Sequence, residues 1–325
     1  MSMPAHDRLV VVTDYTFPSL HHEQAAAGAA RFATHQCSDA QAVTAAVKGA
    51  DVALVQFAPM TRAALEGLAP GARVIRYGVG YDNIDVKAAG ELGIEVAYVP
   101  DYCTDEVADH TATALLASLR KLAALDASVR AGQWAAVAVC KPMRPFRDSM
   151  VGFLGLGRIG RAVMERLRPF GFSFLVFDPA LSEAQVEALG ASKAATTDDL
   201  FAAADALALH APSTPATRGI VNRATLARMK PNAMIVNTAR GDLIDAAALA
   251  EALANNRIAG AALDVFDSEP LPSDHVLRGA PNLQLTPHAA WYSDASIDRL
   301  QALAADEVRR ALAGEPMRSP VPTPK

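Results

Sequence analysis

The stretch "SMVGFLGLGRIGRAVMERLRPFG", residues 149–171, constrains the fold of this chain more than any other. An apolar run of strand character leads directly into Gly155, Gly157 and Gly160, and then into a segment of helical character. Each glycine has a steric reason in such a turn. The first permits the tight bend, the second lets backbone approach a pyrophosphate, and the third lets the helix pack closely on the strand. The N–H groups that open the helix, around Arg158 and Ile159, have no carbonyl partner of their own and favour an anion. The next apolar run, "SFLVFD", ends at Asp178, where a carboxylate is expected to accept hydrogen bonds from the ribose of a dinucleotide. Pro179 follows, with no nearby Arg or Lys to meet a 2′-phosphate, so NAD is expected over NADP.

This unit does not stand alone. Short β-branched runs alternate with alanine-rich helical stretches along most of the chain, the pattern of βα units and a parallel sheet. "RLVVVT", "VALVQF", "RVIRYG" and "IEVAYV" form a first series of expected strands. "SMVGFLG", "SFLVFD", "DALALH", "AMIVNT", "AGAALDV" and "LQLTP" form a second. Between them, residues 104–132 are expected to form one long helix, capped by Thr104, closed by Gly132 and connecting two domains. A last helix is expected over roughly residues 294–313, followed by a proline-rich tail expected to be disordered.

With 325 residues and 51% hydrophobic composition, the chain is long enough for two domains that each bury a core. A net charge of −5 without a block of Lys or Arg argues against nucleic acid or an anionic membrane as partner. The nearest basic patch, "KPMRPFR" at residues 141–147, is broken by two prolines and reads as a loop or an intersubunit arm. Cys37, Cys103 and Cys140 lie far apart, which indicates neither a zinc cage nor a disulfide framework; no metal is expected. The apolar run near the N-terminus is too short for a signal peptide, and no run reaches transmembrane length, so a soluble cytoplasmic protein is expected.

Three later segments end an expected strand with a side chain capable of chemistry. "AMIVNTARGDLID" places Arg240 past its strand, before a helix that Asp245 can cap. "AGAALDVFDSEPL" offers Asp264 and Glu269, and "LQLTPHAAW" offers His288, set off by Pro287. Loops at the carboxyl ends of parallel strands line one crevice, so these residues are expected to converge. Arg240 can hold a carboxylate with its paired fork, which lysine does poorly. His288 can exchange a proton with a carbonyl or hydroxyl oxygen, and Glu269, bonded to the imidazole, would fix its tautomer. A bland alternative exists for each residue separately: a surface ion pair, a solvated loop acid, a capping histidine.

Taken together, "GLGRIG" with Asp178, "NTARGDLID", "DVFDSEP" and "TPHAAW" resemble the NAD-dependent D-2-hydroxyacid dehydrogenase family over nearly the whole chain. Within it, "RYGVGYDNIDVKAAGELGI" and the tryptophan of "TPHAAWYS" resemble the branch of the C-terminal-binding proteins, corepressors that retain a dehydrogenase fold. The resemblance implies an α/β protein of two doubly wound parallel sheets, a Rossmann NAD-binding domain inserted in a flavodoxin-like substrate domain. The division implied is residues 1–102 and 291–325 for substrate and 103–290 for the dinucleotide, with a cleft between and dimerisation through the nucleotide domain. It also implies Arg240, Glu269 and His288 as the catalytic set and Asp264 at the nicotinamide carboxamide. Val79 and Gly80 would present backbone N–H groups to the substrate carboxylate. Residues from His210 to Thr217, with Thr238 and Ala239, would line the cofactor.

The substrate is less defined. Phosphoglycerate members often place basic groups in the loop after the strand "VALVQF", whereas here that loop reads "FAPMTR", with only Arg62 as a cation, expected to point into the next helix; a phosphate-bearing substrate is disfavoured. No regulatory domain is expected to follow. Formate-oxidising members carry glutamine where Glu269 stands. Trp291 is the candidate apolar wall for a hydrophobic or aromatic 2-keto acid, and Arg76 a second cation for its carboxylate. The competing class is an NAD-responsive binding protein, corepressor-like, with incidental turnover; the short termini offer no long interaction arm.

Overall fold

The structure, a computed structural model, describes residues 8–322. The chain divides into two compact units, the described residues of Met1–Cys103 with Ser293–Lys325, and Thr104–Tyr292.

The first unit is built on five parallel strands: β1 (Leu9–Val12), β2 (Arg31–Thr34), β3 (Val52–Val55), β4 (Arg73–Arg76) and β5 (Glu95–Tyr98). Their order, β2-β1-β3-β4-β5, is that of flavodoxin-like sheets. β1 and β3 are apolar runs buried on both faces, as expected of central parallel strands. β2 is the strand that sequence pattern does not reveal. It is an edge strand, "RFAT", whose ends are exposed, so no apolar run marks it. In the loop after β3, Met60 is fully buried while Phe57 is exposed, and Arg62 is paired with Glu66 and Glu91.

The long helix Asp294–Ala313 belongs to this unit and packs on the helix His21–Ala27. Ser293 caps it in a reciprocal box with Ser296, and Gly314 ends it in the left-handed conformation. The proline-rich tail that follows is ordered up to the last described residues, contrary to expectation. Pro320 bridges Ala97 antiparallel, Val321 donates to the Val96 carbonyl, and the buried Glu307 carboxylate accepts the N–H groups of Arg318 and Ser319. Composition alone missed this because the order comes from an open sheet edge and one buried acid.

The second unit holds seven parallel strands: β6 (Met150–Leu154), β7 (Ser173–Phe177), β8 (Ser192–Lys193), β9 (Ala206–Leu209), β10 (Met234–Asn237), β11 (Gly260–Leu263) and β12 (Leu283–Leu285). The order β12-β11-β10-β9-β6-β7-β8 reverses at β6, which is the doubly wound Rossmann arrangement. Two-residue β8 is too short to leave a pattern. Residues 104–132, expected as one helix, are two. Thr104–Leu119 is the first helix and Leu122–Arg130 the second, separated at Lys121, whose backbone is left-handed (φ 52°). Thr104 is the first residue inside the helix rather than its cap. The first helix packs on the glycine-loop helix Arg158–Leu167 and on β10 and β11, so it is part of the sheet's cover rather than a free connector.

Candidate active site

The crevice of a doubly wound sheet lies beyond the carboxyl ends of its strands, at the point where strand order reverses. Here that point falls between β6 and β9, and the loops leaving them are in contact. A Cβ on Gly155, whose φ is 86°, would lie 2.9 Å from the backbone of His210 and Ala211, so only glycine allows this approach. A Cβ on Gly160 would lie 3.0 Å from the Gly155 carbonyl oxygen, which sets the helix tightly on the turn. Gly157 is different: a Cβ there would meet nothing within 4 Å. It precedes the helix Arg158–Leu167 with no side chain capping that helix. The open space at Gly157 and the uncapped N–H groups behind it fit a pyrophosphate.

Asp178 stands just past β7. One carboxylate oxygen accepts the N–H of Leu156 (2.8 Å) in the glycine turn, and the other accepts the N–H of Ala180 (2.9 Å). Each oxygen keeps a further lone pair for a ribose hydroxyl. His210 directly follows β9. Its ring stacks on Phe153 (6.1 Å between centroids), and its buried Nε2 has no hydrogen-bond partner among the described residues. Burial pushes the imidazole down to about 4, so it is neutral at physiological pH. Thr217 closes its own loop, its hydroxyl donating to the Pro212 carbonyl (2.6 Å).

The loop after β10 is held by Asn237, which is fully buried. Its side chain accepts the Ala239 N–H (3.0 Å) and donates to the Arg240 carbonyl (2.8 Å). The Thr238 hydroxyl is paired with that of Thr111 (2.7 Å); Thr111 donates to Val107, so Thr238 is the donor between them. Gly241 has no room for a side chain, since a Cβ would lie 1.9 Å from the Phe266 carbonyl carbon. The Arg240 loop is therefore pressed against the loop that carries Glu269. Asp245 caps the following helix through Ala248, as its position suggests.

Glu269 is fixed from two sides. One oxygen accepts the Phe266 N–H (2.8 Å) and the other meets Nδ1 of His288 at 2.6 Å. Burial alone would raise the Glu269 carboxyl, but the His288 bond and charge, the Phe266 N–H and the nearby Arg240 guanidinium outweigh it and hold the group below its ordinary value. With Glu269 ionised, His288 Nδ1 must carry the proton between them. Nε2 is then the nitrogen not fixed by Glu269.

His288 itself has φ 51°, a conformation rare for a residue with a Cβ. The structure over-determines it through Asp264, which is 2% exposed. The Asp264 carbonyl accepts the His288 N–H (2.8 Å). Its carboxylate accepts the Thr286 hydroxyl (2.5 Å) and the N–H groups of Ala289 (2.8 Å) and Ala290 (2.9 Å). Because Thr286 spends its proton on Asp264, the 3.3 Å contact from Thr286 to His110 Nε2 requires His110 to be the donor. Asn237, Gly241 and Thr286 lie within the motifs that mark the site, but their supporting roles are not visible there, and His110 lies in a helix outside every motif. Trp291, half-buried, follows this loop and stacks edge-on with Tyr292 (6.0 Å).

Three of the expected site residues belong to the other unit. Arg76 ends β4 and donates to the Tyr77 carbonyl, and its guanidinium carbon lies 6.0 Å from the Phe57 ring centroid. Val79 and Gly80 follow, half-buried.

The strand order, the glycine turn and the acid at the end of β7 define a dinucleotide-binding α/β protein. Residues 112–290 match the family model described as the NAD-binding domain of the D-isomer specific 2-hydroxyacid dehydrogenases, and the chain belongs to that family. It is 38% identical over 278 residues to the D-3-phosphoglycerate dehydrogenase of Mycobacterium bovis, covering 85% of this chain and 52% of that protein. The chain thus spans about half the length of the curated relatives it matches. Among solved structures, it resembles the NADPH-dependent glyoxylate/hydroxypyruvate reductase of Sinorhizobium meliloti in complex with NADP and malonate. The TM-score is 0.83 at 31% identity, over 97% of this chain and 96% of that one. It also resembles the D-lactate dehydrogenase of Aquifex aeolicus complexed with NAD and lactic acid, with a TM-score of 0.85 at 26% identity, over 94% and 96% of the two chains.

Proposed function

We propose that this protein interconverts 2-keto acids and D-2-hydroxy acids with NADH and NAD. The observation that carries the reading is the 2.6 Å bond between Glu269 and His288 Nδ1, which fixes the ring and its tautomer. When bound, the dinucleotide supplies or accepts a hydride at the substrate's second carbon. His288 gives a proton to the carbonyl oxygen in reduction and removes one from the hydroxyl in oxidation. Glu269 keeps the tautomer and balances the imidazolium charge. Arg240 binds the substrate carboxylate and polarises the carbonyl. Arg76 and the N–H groups of Val79 and Gly80 are assigned to substrate binding. Gly155, Gly157, Arg158, Ile159, Gly160, Asp178, His210, Thr217, Thr238, Ala239 and Asp264 form the cofactor side.

The carboxylate of Asp178, with proline beside it, favours NADH over NADPH by repelling a 2′-phosphate. Trp291 walls a pocket for an apolar side chain, and the loop after β3, with its one cation paired to two acids, favours unphosphorylated substrates. The related proteins act on phosphoglycerate, glyoxylate or lactate by their names, which spans both possibilities. No helix among the described residues is long and apolar enough to cross a membrane, and Cys37, Cys103 and Cys140 form no disulfide among the described residues, in keeping with a reducing cytoplasm. A homodimer through the nucleotide unit accords with the apolar side chains displayed after the helix Thr104–Leu119. Leu122 and Val129 are 55% exposed, Val137 76% and Trp134 94%.

The test is NADH oxidation against glyoxylate, pyruvate, hydroxypyruvate, phosphohydroxypyruvate and phenylpyruvate, with chiral separation of the products. Turnover of about one per second or faster on an unphosphorylated keto acid, giving the D-hydroxy acid, is expected. Trp291→Ala should raise KM for phenylpyruvate more than for glyoxylate. No turnover on any member, or an L product, would reject the reading.

A further inference from the structure

Outside the site just described, two adjacent histidines and a carboxylate converge where the helix His21–Ala27 meets the helix Asp294–Ala313. His22 Nε2 lies 2.9 Å from Asp298 Oδ1. The rings of His21 and His22 are 4.0 Å apart between centroids. One ligand atom from each of His21, His22 and Asp298 lies within 4.8 Å of the others. We propose that His21, His22 and Asp298 bind one divalent transition-metal ion, of the zinc or cobalt class, which clasps these two helices together.

The separation of His22 Nε2 and Asp298 Oδ1 suits two ligands sharing an ion. With metal–ligand bonds of about 2.1 Å, neighbouring ligand atoms lie roughly 3.0 Å apart in an octahedral shell and roughly 3.4 Å in a tetrahedral one. That pair needs almost no movement, and the exposed His21 ring offers a third ligand atom within 4.8 Å of both. His21 Nδ1 lies 2.9 Å from the Ser19 hydroxyl. If Nδ1 donates there, Nε2 presents its lone pair outward, the arrangement by which an outer partner orients a ligating imidazole.

The scaffold beneath is stiff. Gln301, three residues after Asp298 on the same helix face, donates to the Ser19 carbonyl (2.7 Å) and to the buried Glu23 carboxylate (3.2 Å). The start of one helix is thereby tied to the other directly below the cluster. Two imidazoles with one carboxylate select borderline ions such as zinc, cobalt or nickel, whereas magnesium and calcium need shells of oxygen. Exposure leaves the remaining positions to water.

The experiment uses full-length, untagged, chelator-stripped protein, titrated with zinc chloride in a calorimeter and with cobalt chloride by visible absorption, with magnesium chloride as the contrast. One zinc per chain is expected, with a rise in Tm as zinc increases and no response to magnesium. Both His22→Ala and Asp298→Asn should weaken zinc binding by roughly tenfold or more and abolish the rise in Tm. Their Tm without metal should stay close to wild type, because the pair they remove is solvent-exposed. His288→Ala should bind zinc as wild type does. Absence of binding at millimolar zinc, binding unchanged in His22→Ala and Asp298→Asn, or binding lost in His288→Ala instead would overturn the proposal.

Discussion

Replacing Thr286 by valine removes one hydroxyl and almost no volume, yet it should damage both stability and turnover. That hydroxyl donates to Asp264 at 2.5 Å and receives from His110 at 3.3 Å. Asp264 is 2% exposed, so the lost bond cannot be replaced by water without opening the loop. A hydrogen bond to a buried charged acceptor contributes about 1.5–3 kcal/mol, and the orphaned His110 donor adds little because it is half-buried. Thr286→Val should therefore cost about 2 kcal/mol. For a unit of this size, with roughly 2–4 °C per kcal/mol, the first melting transition should fall by about 4–8 °C. Asp264 also holds the N–H groups of Ala289 and Ala290 and, through its carbonyl, that of His288, whose φ of 51° relies on this support. On the proposed role of His288 in proton transfer, slack in the loop should lower kcat more than it raises KM. Calorimetric melting and steady-state kinetics of Thr286→Val and Thr286→Ser decide the matter. Serine should restore both values. Valine behaving as wild type, or serine failing like valine, would refute the network as the support of His288.

Three further outcomes follow from the same geometry. Gly241→Ala forces a Cβ within 1.9 Å of the Phe266 carbonyl carbon, so the variant should be insoluble or melt far below wild type; a normal melting curve would show that the two loops are not pressed together. Asp178→Ala should weaken NADH binding about tenfold in a fluorescence titration while raising the ratio of NADPH to NADH affinity, since a carboxylate no longer faces a 2′-phosphate. His210, pushed down to about 4 by burial, should make the protein acid-sensitive: the unfolded imidazole takes up a proton near pH 6.5 and the folded one does not. That contribution is present above pH 6.5 and lost as pH falls towards 4, by about 3 kcal/mol. Denaturation of wild type and His210→Gln across this window should therefore converge at low pH, and parallel curves would contradict the burial of a neutral imidazole.

Most of what fixes the fold can be read from apolar runs and turns. The buried central strands β1, β3, β6, β9 and β10 are near-continuous aliphatic runs because both faces are covered, and "GLGRIG" marks where strand order reverses. What escapes notice lacks such a run. The edge strand β2 is half exposed, and β8 has two residues. The break at Lys121 sits in a stretch of good helix formers and depends on a left-handed residue that no composition announces. The tail is ordered by Glu307 and the free edge of β5, partners distant in sequence. In the candidate site, Arg240, Glu269 and His288 stand out because each is a reactive group in a loop that follows a strand. Asn237, Thr286 and His110 do not, because their importance lies in who they touch. Asp264 is legible as a candidate, but its part in holding the His288 loop emerges only from three bonds to residues 22 to 26 positions away.

The imidazole of His288, fixed at Nδ1 by Glu269, is held to be the group that moves the proton. Comparing wild type with His288→Ala, by kcat/KM on the best keto acid and by NADH dissociation constant, addresses this most directly. Catalysis should fall by about 10²–10⁴-fold with NADH affinity nearly unchanged. A variant that keeps wild-type turnover, or one that loses NADH binding in step with activity, would contradict the assignment.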